Sequence, residues 1–252
     1  MTRLIYDGTF EGLLCVVFEI YQRKLDDVYL QRTKALNEAL FENVIDVPTD
    51  DYRANRVLKG LGSKMSPFSI QRLYIAHLAE TSGDENAIAG FIRYALNSNT
   101  NIEDDYGNRY VLRVSQIVGM MRREKHRMEA FIRFQKLEDG TFYALIEPDF
   151  NVLPLLIKHF KSRYADQKWM IYDKKRKYGL YYDLHDTQFI SLEFSDQNSA
   201  ANVTAIFSQD ERIYQELWKN YFDSTNIPAR KNTRLHIKHI PKRYWKHLTE
   251  KF

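Results

Sequence analysis

Five side chains in this sequence could move protons or hold charge at a reacting centre: His126, Glu147, His159, Arg163 and Asp173. Histidines and carboxylates together suffice for general acid–base work on a glycosidic or phosphodiester bond, one group activating water and another protonating the leaving group. An arginine beside them would hold the anion. His159 and Arg163 stand out because they lie one helical turn apart on the segment Asn151–Tyr164. Val152, Leu155, Leu156 and Phe160 mark the apolar stripe of that segment, and both polar side chains fall inside it. An arginine buried without a partner is strongly unfavourable, so Arg163 is expected to meet a carboxylate (Glu147 or Asp166) or a ligand. No phosphate-binding loop, H-E-x-x-H, G-x-S-x-G or dinucleotide fingerprint accompanies these residues.

A second set of residues suits binding to nucleic acid. Cations of the helix end R-R-E-K-H-R-M (Arg122, Lys125, Arg127) would contact phosphates. The run K-K-R-K at 174–177 supplies Lys175 and Arg176 beside Tyr178 and Tyr182, a basic track next to rings on which bases could stack. In the tail, Arg230, Lys231, Arg234, Lys242 and Arg243 alternate with apolar and aromatic groups that include Tyr244 and Trp245. From Pro228 to Phe252 eight cations stand against one acid, and from Arg113 to Lys136 seven stand against two, on a chain of net charge only +4. The rest is therefore net acidic, and local positive charge on an acidic body marks a surface for an anionic partner. That partner is either DNA or the acidic face of another protein.

The elements that must position these groups can be read from periodicity. Leu4-Ile-Tyr6 is a short apolar run closed by Asp7-Gly8, and Thr9 caps a central apolar helix from Phe10 to about Leu25. Asn43–Val47 reads as a strand. Helices follow from about Asp51 to Leu61, from Pro67 to Ala79 behind the cap Ser66, and from Glu85 to Leu96. A longer helix, Tyr110–Met128, buries Val114, Ile117, Val118, Met121 and Met128.

Beyond it the period changes to two. Asp139-Gly140 predicts a two-residue type I′ turn joining Ala130–Lys136 to Thr141–Glu147, pairing Lys136 with Tyr143, Phe134 with Leu145, Ile132 with Glu147 and Arg133 with Ile146. Asn151 is expected to cap the helix that follows. Lys168–Asp173 and Tyr178–Asp183 form a further hairpin, followed by a strand at Gln188–Phe194 and a helix from Gln209 to about Asp223. The expected class is α+β: a mainly helical part over residues 1–100, then an antiparallel sheet with packed helices and a basic tail over 101–252. The two parts can equally form one continuous domain, and the first strand is free to join the later sheet.

The totals narrow the function. The single cysteine, Cys15, excludes an intramolecular disulfide and any cysteine-ligated zinc or iron–sulfur site built from this chain alone. His236 and His239 are three apart but no carboxylate or cysteine stands nearby, so no metal and no cofactor are expected. Without a leader pattern or an apolar run of membrane length, the expected location is the cytoplasm.

Several stretches carry a resemblance that covers nearly the whole chain. They are Y-D-G-T-F-E-G-L-L-C-V-V-F-E at the start, then K-H-R-M-E-A-F-I-R-F, I-E-P-D-F-N-V-L-P-L-L, H-F-K-S-R-Y, W-M-I-Y-D and Y-G-L-Y-Y, and finally L-W-K-N-Y-F, I-P-A-R-K-N and P-K-R-Y-W-K-H-L. The chain resembles a bacterial family known as DNA metabolism or DNA repair proteins. Members are typically encoded beside a radical-SAM protein assigned to DNA modification or repair, and a related domain is fused to uracil-DNA-glycosylase-like modules. The resemblance implies DNA and the radical-SAM protein as partners, and a chain with one cysteine fits the role of the partner that does not hold the cluster. It brings no established activity. Three functions are open at this point: a DNA-binding accessory subunit, a damage-processing enzyme using His126, Glu147, His159 or Asp173, and a protein-interaction scaffold.

Overall fold

Thr9 begins the first helix as its residue type requires: extended at φ −77°, ψ 160°, it accepts the Gly12 amide on its side chain at 2.9 Å. In the computed structural model, which describes residues 1–32, 43–191, 215–217, 237 and 240–248, the chain divides into two compact units, Met1–Arg122 and Arg123–Phe252. The first unit holds β1 (Thr2–Tyr6), α1 (Phe10–Arg23), β2 (Val28–Arg32), β3 (Asn43–Asp46), α2 (Asp51–Gly62), α3 (Pro67–His77) and α4 (Asp84–Asn97). The division falls within α5 (Arg109–Phe131).

Unit 1 is more than helical. Its three strands form a parallel sheet in the order β2-β1-β3, with Leu4 facing Leu30 on one side and Ile45 on the other. β1 therefore pairs inside unit 1 and does not join the later sheet. Helix α1 lies centrally because Leu13, Leu14, Cys15, Val16 and Val17 are fully buried, and a helix apolar on most sides needs cover on most sides. It packs on α2 and α4. Strand β2 carries one buried residue, Leu30, and so lacks the alternation that announces a strand.

Unit 2 contains β4 (Gln135–Lys136), β5 (Phe142–Ile146), α6 (Leu153–Arg163), β6 (Trp169–Asp173), β7 (Tyr178–Tyr182) and β8 (Thr187–Ile190), then a 3-10 helix, Lys242–His247. Its sheet runs β4-β5-β6-β7-β8. The mixed α+β class holds, with one change of direction: β5 and β6 are parallel, joined by α6 as a crossover, while the other three pairs are antiparallel.

The first hairpin differs from its predicted register. Gln135 pairs with Tyr143 and Lys136 with Phe142, and the turn holds three residues, Glu138, Asp139 and Gly140. The Leu137 carbonyl accepts from Gly140 at 3.0 Å, the Leu137 amide donates to Thr141 at 2.9 Å, and Gly140 sits at φ +83°. This is a type I turn followed by a left-handed residue, the usual three-residue solution. The Asp139 carboxylate fixes it by accepting the Thr141 amide at 2.8 Å. Residues 130–131 stay in α5, so the pairings predicted for Ile132, Arg133 and Phe134 do not form. Nor is Asn151 the cap of α6. Val152 takes that position without a side-chain hydrogen bond, and the Asn151 side chain accepts from the Tyr178 hydroxyl instead.

The helix expected over Gln209–Asp223 is described only at 215–217, which are helical. His236 and His239 lie outside the described residues.

Candidate nucleic-acid interface

Where α5 ends, the chain leaves the helix at Ile132 and runs through Arg133 and Phe134 into β4. That exit, the C-terminal half of α6 and the first residues of β5 and β6 enclose a cavity of about 810 Å³. One wall is aromatic. Phe134 meets Tyr164 edge-on at 5.3 Å and Phe160 at 5.6 Å, and Phe160 in turn packs on Trp169 at 6.0 Å. Trp169 stacks on Tyr182 at 5.4 Å behind it. These contacts fix the rings, so the wall is a rigid surface rather than a collapsible one. Trp169 is fully buried and lines the cavity, and its indole Nε1 has no hydrogen-bond partner among the described residues.

The other wall is charged. Arg133, Lys136 and Arg163 line it with His159 and Glu129. Arg133 is held in place by donating from Nη1 to the Ala130 carbonyl at 2.7 Å. Arg163 is exposed at the end of α6, its guanidinium 5.8 Å from the Tyr164 ring centre, with no carboxylate partner among the described residues. It sits outside the packed stripe because the helix stops there, so neither Glu147 nor Asp166 pairs with it. His159 Nδ1 lies 3.6 Å from Glu129 Oε1, an electrostatic contact longer than a hydrogen bond, and Glu129 also accepts from Lys125. A cavity of this make-up has the chemistry to meet an anion and a flat ring side by side, and its His–Glu pair has the chemistry to exchange a proton there.

The remaining predicted acid–base residues lie elsewhere in unit 2. His126 is exposed on α5 and does not line the cavity. Asp173 is fully buried and tied to its own turn. Its Oδ1 accepts the amides of Lys175 and Arg176 at 2.9 and 3.1 Å, and its Oδ2 accepts Arg176 Nη1 at 2.9 Å. Glu147 accepts from Lys246 and lies 3.8 Å from His247, and the Lys246 hydrogen bond holds its carboxyl below the usual range.

Of the residues predicted to touch nucleic acid, Arg122 is exposed beside the Phe68 ring and Arg127 lies 3.6 Å from Glu124. Arg176 turns inward to the carbonyls of Pro148 and Asp149, both at 3.2 Å, and Lys175 reaches the Asp149 carbonyl at 3.4 Å. Tyr178 packs on Phe189 at 6.0 Å. Tyr182 is buried, its hydroxyl donating to the Leu184 carbonyl at 2.7 Å with the Ala165 carbonyl as a second acceptor within reach at 3.1 Å. In the tail, Lys242 is exposed near the Trp245 ring, whose Nε1 donates to the Ile240 carbonyl at 3.0 Å. Arg230, Lys231 and Arg234 lie outside the described residues.

Arg243 and Tyr244 converge on Glu124, which is 1 % exposed. Glu124 Oε2 accepts from Tyr244 at 2.6 Å and from Arg243 at 3.1 Å, while its Oε1 accepts the Asp149 amide at 3.1 Å. Arg243 also meets the Asp149 carboxylate at 3.0 Å. The burial of Tyr244 and its bond to Glu124 push its hydroxyl well above the ordinary tyrosine range.

Residues 82–250 match a family described as a domain of unknown function, DUF4130. This chain belongs to the DUF4130 family. The matched stretch includes every residue that lines the cavity and the whole 3-10 helix. No curated protein matches the chain. Among solved structures it is similar to a pGpG-specific phosphodiesterase, PggH, from Vibrio cholerae, at 10% identity, with 89% of this chain and 99% of that chain covered. The TM-score of 0.31 is too low for that likeness to carry an argument.

Within the DUF4130 match, two residues that shape the site escaped the sequence reading: Glu124 and Glu129. A signal for Glu124 exists. The buried stripe of α5 runs Ile117, Met121, Met128, and position 124 fills its missing turn, so a carboxylate there stands where an apolar side chain is expected. Glu129 carries no such mark, because its contact with His159 joins two helices whose approach is set by tertiary packing.

Proposed function

We propose that this protein binds nucleic acid in DNA metabolism or repair, as an accessory partner of a radical-SAM DNA modification or repair enzyme. The observation that supports this most is the cavity of unit 2, where Arg163, with no carboxylate partner among the described residues, stands beside a fixed aromatic wall. A guanidinium left available next to flat rings suits phosphate and base together. The radical-SAM partnership rests on the sequence resemblance, and the single cysteine is compatible with it.

The test is binding of fluorescent single- and double-stranded oligonucleotides across a salt series. Affinity should fall as salt rises, and Arg163→Glu should weaken binding about tenfold, since it replaces an attraction with a repulsion at a phosphate. Wild-type protein without salt-sensitive binding to either form would overturn the reading. For the partnership, the radical-SAM protein should stay bound after nuclease treatment of a co-purified sample.

One contact supports a second reading, that of a damage-processing enzyme. His159 and Glu129 face the same cavity at 3.6 Å, a spacing from which a histidine can act as base with a carboxylate orienting it. In single-turnover assays on oligonucleotides carrying damaged bases, cleavage that His159→Ala abolishes would favour it.

A further inference from the structure

We infer that the cavity of unit 2 receives one unstacked nucleotide, held by its base and its phosphate together, instead of tracking a strand along the surface. The inference rests on the nucleic-acid reading above and names the ligand of that same site.

Two observations carry it. The first is size: about 810 Å³ lies within the range of pockets that take one small molecule. The second is the division of labour in the wall. The rings of Phe134 and Tyr164 form one side and the guanidinium of Arg163 stands on the same cavity, so ring and anion are met at once. Glu129 would repel a phosphate, but its charge is already engaged by Lys125, and His159 lies beside it. The shared chemistry, a nucleoside monophosphate unit, is supplied equally by a free mononucleotide and by a terminal or extruded nucleotide of a strand.

The experiment is calorimetric titration with thymidine 5′-monophosphate, thymidine, inorganic phosphate and a single-stranded oligonucleotide, followed by competition of the oligonucleotide with the mononucleotide. The mononucleotide should bind at least about tenfold tighter than thymidine or phosphate alone, because only it engages both walls. It should displace the oligonucleotide. Arg163→Gln, at an exposed position that leaves the core intact, should remove most of the advantage over thymidine.

The outcomes separate the two ideas. Oligonucleotide binding that the mononucleotide does not displace, and that Arg163→Gln leaves unchanged, overturns the inference and leaves the nucleic-acid reading standing. Mononucleotide binding without oligonucleotide binding supports the pocket, assigns it to a free nucleotide and overturns the role in DNA metabolism. Binding of inorganic phosphate as tight as the mononucleotide overturns the part played by the rings. Binding of none of them overturns both.

Discussion

His77 shows how one buried side chain ties unit 1 to pH. Its Nε2 donates to the Gly8 carbonyl at 3.0 Å, so Nδ1 is left as the acceptor that faces Arg32 Nη2 at 3.4 Å. Burial is the main cause that lowers its pKa from 6.5 to about 4, and the positive charge of Arg32 adds to it. Between those two values the unfolded chain binds a proton that the folded chain refuses. The stabilisation is therefore complete above about pH 6.5 and is lost as the pH falls toward 4. Integrated over that window, about 2 kcal/mol should disappear between pH 7 and pH 5. Urea unfolding at the two pH values should show this loss in the wild type and a markedly smaller one in His77→Gln, the difference isolating this histidine from the carboxylates that titrate nearby. Equal losses in both proteins would assign the dependence to other groups.

Among the elements, the 3-10 helix Lys242–His247 has too short a backbone ladder to hold itself, so its position depends on side chains. Tyr244 is 3% exposed, packs on Phe131 at 5.5 Å and gives its hydroxyl proton to the buried Glu124. Removing that hydroxyl in Tyr244→Phe keeps the ring and deletes a hydrogen bond to a charged acceptor, which costs about 2 kcal/mol. Chemical denaturation should report that loss, with oligonucleotide affinity of the folded protein unchanged if the tail cations act mainly as anchors. A smaller test applies to the β4–β5 turn. Gly140→Ala places a Cβ at φ +83° and should cost about 1 kcal/mol without moving the cavity residues.

Thr9 and Ser66 cap the helices they were expected to cap, since a cap is a contact between residues three apart, whereas Asn151 is drawn away from α6 by the Tyr178 hydroxyl, a partner 27 residues along the chain. The β4–β5 register was not legible, because Asp139-Gly140 serves two-residue and three-residue turns alike and one added residue exchanges the faces. The parallel pairing of β5 with β6, and the sheet in unit 1, depend on contacts across a whole helix, for which local periodicity has no signal. At the site, His159 and Arg163 were legible as cavity residues from their spacing on one helix, but Arg163 lies exposed beyond the packed stripe, and the Glu129 contact became visible only once the helices were placed.

At the scale of the molecule, the distribution of charge decides how strongly this protein should respond to salt. The chain carries 37 basic and 33 acidic residues, and several of the cations that looked available are already used inside unit 2. Arg243 serves Glu124 and Asp149, Lys246 serves Glu147, and Arg176 serves Asp173. Cations committed to carboxylates release no counterions when a strand binds, so they add little to the salt slope. Arg163 has no carboxylate partner among the described residues, and one phosphate contact on a single strand gives a slope of log K against log salt of about −0.7. If Arg230, Lys231 and Arg234 also held phosphates, the slope would approach about −3. The expected result is the shallow slope. Arg163→Gln should reduce it by about one contact, while Lys246→Gln should leave the slope unchanged and lower the unfolding midpoint slightly, because its exposed ion pair with Glu147 is worth little. A steep wild-type slope insensitive to Arg163 would move the nucleic-acid surface from the cavity to the basic tail.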